Sequence, residues 1–154
     1  MKTDELGNDK CCSLFNWRRK MEKLVLTYEQ IINSIEGVKI LLDAEVSYAT
    51  GLKITKNIQA LESILAEYAT EERKLAEKYF EKDETGNYII NEGGTGFKLT
   101  PETADQYRND LQALLHFENE VTVYKLSMRE LENVIIKPRF IMLIDFMIEE
   151  DEEI

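Results

Sequence analysis

Residues 52–79, LKITKNIQALESILAEYATEERKLAEKY, decide how the chain folds. Ile54, Ile58, Leu61, Leu65, Tyr68, Leu75 and Tyr79 follow alternating steps of four and three, with Glu72 alone interrupting the series. That spacing stacks one apolar side chain above another on a single face of an α-helix. Good helix formers fill the outer face, and Glu71 stands three residues before Lys74 for local pairing. One long helix is predicted, with its stripe facing the core. A coiled-coil seam with a second copy or a partner is the alternative use of the same stripe, and would make the chain a homo-oligomer through the long helix.

Upstream, Thr27 and Gln30 are spaced for a reciprocal capping box at a helix start, before Ile31, Ile32 and Ile35. Gly37 is expected to end that helix, and residues 38–46 to form a second short one. Downstream, residues 83–87, DETGN, carry turn chemistry, followed by a strand at Tyr88, Ile89 and Ile90. Gly93, Gly94 and Gly96 make a second turn before Phe97 to Leu99, which suggests a hairpin. Thr100, Pro101 and Glu102 announce another helix, buried through Tyr107, Leu111, Leu114 and Leu115. Residues 121–126, VTVYKL, alternate as a strand and are expected to join the hairpin. Ser127 and Glu130 spell a second capping box for a short helix through Leu131 to Val134. Lys137–Pro138 then breaks the chain before a final helix at 139–148, apolar on several sides. The predicted class is α+β: a predominantly helical single domain with one long central helix and a small antiparallel β-sheet or hairpin from about residues 88–90, 97–99 and 121–126.

Composition narrows the classes further. The 154 residues are 44% apolar and 32% charged, with two Pro and seven Gly, which excludes collagen-like and low-complexity chains. A folded chain of this length hides roughly 68 to 70% of its unfolded surface, enough for one core without metal or disulfide support. Nineteen basic against thirty acidic side chains leave a net charge of −11, which repels nucleic-acid backbones and anionic membrane surfaces. Five basic and three acidic side chains fall in residues 1–20, so that segment carries +2 and the remainder −13.

The only cysteines, Cys11 and Cys12, are adjacent and close no useful loop, which fits a reducing compartment. No run of eighteen apolar residues occurs, and charges occupy the place of a signal peptide's hydrophobic stretch, so a cytoplasmic protein is expected. Met21 opens a plausible shorter product, MEKLVLTYEQ. Residues 1–20 read as a flexible tail and residues 21–154 as the single helical-rich domain. Within the tail, Trp17, Arg18, Arg19 and Lys20 suit either contact with phosphate or lipid headgroups or an ordinary solvated end.

Chemical motifs are incomplete. Residues 81–92 place oxygen-bearing side chains and Gly86 near calcium-loop spacing, but Glu81 stands where Asp belongs and the glycine-rich segment after Glu92 supplies no exiting helix. The GGTG stretch lacks the Lys-Ser or Lys-Thr ending of a phosphate loop. His116, the sole histidine, has Glu118 and Glu120 as conceivable metal-binding company, while Leu114, Leu115 and Phe117 beside it look structural. No catalytic residue, cofactor or resident metal is assigned.

TYEQIINSIEGVKIL, TGLKITKNIQALESIL and LSMRELENVIIKPRFIMLIDFMIEE together resemble a family borne by phages and prophages of Firmicutes and catalogued only as a domain of unknown function. The resemblance covers about residues 24–150 and implies a small phage or prophage accessory protein working inside a bacterium. It supplies no catalytic residues.

Two functions follow as expectations. The first is a non-enzymatic protein-binding module, an anti-defence inhibitor that occludes a basic nucleic-acid groove of a host nuclease. Acids speed encounter with such a groove while apolar anchors hold it. The acids proposed for partner binding are Glu62, Glu67 and Glu71 on the long helix and the terminal run Glu149, Glu150, Asp151, Glu152 and Glu153. The second is a virion-assembly accessory or chaperone that recruits phage subunits through the long helix and hairpin. An enzyme ranks third. The expected partner is a host or phage protein, with neither direct nucleic-acid nor membrane contact.

Overall fold

Thr27 ends a strand and starts a helix. Its hydroxyl accepts a hydrogen bond from the Gln30 amide at 3.2 Å, and the Gln30 side chain accepts from the Thr27 amide at 2.9 Å, so the expected capping box is complete. In the computed structural model, which describes residues 21–149, strand β1 (Met21–Thr27) leads through this cap into helix α1 (Tyr28–Leu42). Helix α2 (Tyr48–Tyr79), α3 (Ala104–Leu115), strand β2 (Glu118–Tyr124) and α4 (Pro138–Ile144) follow, and a 3₁₀ turn at Asp145–Met147 closes the order. The class is α+β and mostly helical. The expected tail, residues 1–20, lies outside the described residues, as do residues 150–154.

Helix α1 does not stop at Gly37. It buries Ile31, Ser34, Gly37, Val38 and Leu41 on one side, and Gly37 packs against α4. A Cβ there would sit 2.7 Å from Ile144 Cγ2 and 3.1 Å from the Phe140 carbonyl oxygen. The glycine therefore serves close packing, and of the expected second helix at 38–46, residues 38–42 continue α1 while 43–46 turn towards α2.

The 32 residues of α2 span about 48 Å. Ile54, Ile58, Leu61 and Tyr79 are buried along the predicted stripe, against α1 and β2 in the first half and α3 in the second. Leu65, Tyr68 and Leu75 of the same stripe are half-buried.

β1 and β2 form a two-stranded antiparallel sheet with Met21 opposite Tyr124 and Thr27 opposite Glu118. Residues 121–126 were expected beside the hairpin, and the structure corrects that pairing. Val121 and Val123 are buried in the main core, and Asn57 fixes the Tyr124 main chain. The hairpin leaves from Phe80 at the far end of α2, about 33 Å from Asn57 along the helix axis. There, single bridges join Phe80 to Leu99, Lys82 to Tyr88 and Ile90 to Phe97, with Gly86 and Gly94 at positive φ in the two turns.

Three further expectations change. The helix announced by Thr100, Pro101 and Glu102 starts at Ala104, after turns at residues 101–103 and with no side-chain cap. Ser127 and Glu130 form their box, at 3.2 and 3.4 Å, yet residues 128–133 are successive turns and not a helix. The other oxygen of Glu130 is held by Lys53, and Leu131 and Val134 turn inward onto the core. The final helix ends at Ile144, after which Leu126 donates to the Met147 carbonyl and accepts from the Glu149 amide.

Candidate functional site

The predicted acids do not form one surface. Glu62 lies on the exposed side of α2, about 140° around the helix from Glu67. Glu67 and Glu71, one turn apart, flank Tyr28 at the start of α1. The Glu149 amide pairs with Leu126 at the opposite end of β2, and Glu150, Asp151, Glu152 and Glu153 lie outside the described residues.

Glu67 and Glu71 gain significance from what they surround. The capping box delivers Tyr28 into the interior, where its ring lies 5.3 Å from that of Tyr68 and 5.9 Å from that of Phe117. The Tyr28–Phe117 pair is nearly parallel, at 22°. Phe117 joins α3 to β2 and is 59% exposed, so the inner face of its ring rests on Tyr28 while the rest meets solvent. The Tyr28 amide donates to the Phe117 carbonyl at 3.3 Å, which fixes the two main chains together.

Electrostatics follow from this packing. Burial pushes the Tyr28 hydroxyl above the ordinary tyrosine value, and the carboxylates of Glu67 and Glu71 push it further in the same direction. Tyr68 is raised by burial and then by Glu72. Glu118 follows Phe117 directly and is exposed. The exposed Phe117 ring thus has Glu118 beside it and reaches Glu67 and Glu71 through Tyr28, with Glu71 itself paired to Lys74 at 2.7 Å.

His116 belongs to this neighbourhood in a different way from that expected. Its Nδ1 lies 2.8 Å from the Gln112 carbonyl oxygen at the end of α3, and its Nε2 lies 3.8 Å from Glu29. Glu120 is instead paired with Lys23 across the sheet at 3.0 Å. Among the described residues, no three His, Cys, Asp or Glu side chains converge as metal ligands. At residues 81–92, Asp83 accepts from the amides of Thr85 and Asn87 at 2.9 and 3.0 Å, and Lys82 pairs with Glu77 at 2.6 Å. The calcium-like spacing encodes a self-closed turn. Among the described residues, no helix is long and apolar enough to cross a membrane.

Sequence reading assigns no binding role to Tyr28, Glu29 or Phe117. The available signal is local: Phe117 is an aromatic set between His116 and Glu118, immediately after a helix ends. The chain matches no protein-family model, no curated protein and no solved structure.

Proposed function

We propose that this chain is a small acidic phage-encoded protein-binding module that works stoichiometrically, without catalysis, by occupying the basic nucleic-acid groove of a host nuclease. The observation that supports it most is the exposed Phe117 ring, backed by Tyr28, on which Glu67 and Glu71 act, with Glu118 next in sequence and Glu29 near the adjacent His116. A rigid aromatic of this kind supplies lasting affinity, and the surrounding carboxylates favour basic surfaces and speed encounter with them. The phage origin rests on the resemblance of residues 24–150, and the intracellular site of action on the same resemblance.

The test is copurification of the tagged full chain from its host, beside a variant carrying Phe117→Ala, Glu67→Lys and Glu71→Lys. A nuclease recovered at equal stoichiometry with the native chain, inhibited by it and lost with the variant, supports the reading. A nuclease whose recovery and inhibition ignore the three substitutions contradicts it.

A second reading, an accessory of virion assembly, is favoured by Ile90 and Phe97, which face each other across the hairpin and are both exposed. Recovery of head or tail subunits, lost on Phe97→Ala, supports assembly over inhibition.

A further inference from the structure

Residues 127–136 cross from β2 towards α4 over the end where α1 turns into α2. They contain neither helix nor strand, and their main-chain hydrogen bonds are local: the amides of Leu131, Glu132 and Val134 donate to Met128, Arg129 and Leu131. Leu131, Val134 and Ile136 pack onto the core, whereas Ile135 is 97% exposed. Among the described residues, one polar contact ties this segment to the rest of the fold. It is the ion pair of Lys53 Nζ with Glu130 Oε1, at 2.6 Å.

That pair is sheltered, with the Lys53 side chain 6% and the Glu130 side chain 23% exposed. It joins residues 77 positions apart, and Glu130 simultaneously closes the turn at Ser127. The segment is anchored at both ends. Leu126 is bonded to the Met147 carbonyl and the Glu149 amide, and Lys137 accepts from the Phe140 amide at the start of α4. Two clefts adjoin it, one reaching Val46 and Thr50 and the other Ile40 and Asp43, and both are bounded by Glu45 and Asn133.

We propose that residues 127–136 are a latched strap, which swings off the α1–α2 end as one unit while the helices and sheet stay folded, with the Lys53–Glu130 pair as its catch. The strap's amides bond only within it, so opening carries its turns out of the core's shelter into water, where they exchange, and the flanking contacts at Leu126 and Lys137 serve as pivots. Opening hydrates both charges, so the strap is held by the sheltered 2.6 Å pair together with the burial of Leu131, Val134 and Ile136 on the core. Opening merges the two clefts into one groove along the α1–α2 turn. This inference is independent of the Phe117 face.

Native-state amide exchange on the full chain tests it. In the unmodified protein the amides of Leu131 and Val134 should exchange about tenfold or more faster than those of Ile58 and Leu61, with a weaker dependence on urea, as sub-global opening requires. Lys53→Met should speed the strap amides by about a further tenfold while leaving Ile58 and Leu61 within about threefold. Glu71→Gln, which removes the exposed pair with Lys74, should leave the strap unchanged. The strap is overturned if its amides share the rate and urea dependence of α2 in the unmodified protein. It is equally overturned if Lys53→Met leaves the strap unchanged or speeds every amide alike.

Discussion

Asn57 of α2 pairs with both main-chain polar groups of Tyr124. Its Nδ2 donates to the Tyr124 carbonyl at 2.9 Å, and its Oδ1 accepts from the Tyr124 amide at 2.7 Å. The fully buried side chain thereby substitutes for a neighbouring strand where β2 leaves the sheet. Asn57→Ala removes both bonds and leaves buried main-chain groups unsatisfied, so a loss of about 2 to 4 kcal/mol is expected. Urea unfolding followed by circular dichroism checks this.

Gly37→Ala sets helix propensity against packing. An alanine gains about 1 kcal/mol in a helix interior. Here its methyl meets Ile144 Cγ2 at 2.7 Å and the Phe140 carbonyl oxygen at 3.1 Å, so α4 must shift. A net destabilisation of about 1 to 3 kcal/mol is predicted. Pairing it with Ile144→Leu, which lacks the branched methyl, should recover part of that loss in the same unfolding measurement.

Thr27→Ala opens the capping box at the point where β1 becomes α1. A loss of about 1 kcal/mol is expected. The exchange of the Gln30 amide should accelerate with it, because that amide loses its acceptor.

Alkaline titration reads the Phe117 face from within. Tyr28 has its folded value raised above the ordinary 10.0, first by burial and then by Glu67 and Glu71. The folded state therefore holds this proton more tightly than the unfolded chain. The stability it confers is complete below about pH 10 and is lost as pH rises through the folded value. Observed by nuclear magnetic resonance of labelled tyrosine, Tyr28 should titrate above the unfolded value. The double variant Glu67→Gln, Glu71→Gln should lower its midpoint without removing the whole displacement, since burial is the larger cause.

Local chemistry made much of this fold legible. The Thr27–Gln30 box, the long apolar stripe of α2 and the turn at residues 83–87 all depend on neighbours in sequence, and each forms as its pattern indicates. What sequence concealed depends on distant partners. Gly37 resembles a helix terminator until α4 is placed against it. Ser127 and Glu130 resemble a helix start and their box forms, but the turns that follow pack Leu131 and Val134 onto a core that sequence does not display. β1 carries Leu24 and Leu26 inward, but its role required knowing that β2 lies beside it and not beside the hairpin. The candidate site was half visible for the same reason: Glu67 and Glu71 share a helical face, whereas Phe117 reaches them only through Tyr28.

The most direct measurement is hydroxyl-radical footprinting of the full chain alone and in the complex recovered from its host. Contact through the acidic aromatic face predicts that Phe117 loses most of its reactivity in the complex while the exposed Tyr48, at the other end of α2, keeps its own. A complex in which Phe117 stays as reactive as in the free protein would contradict that mode of action.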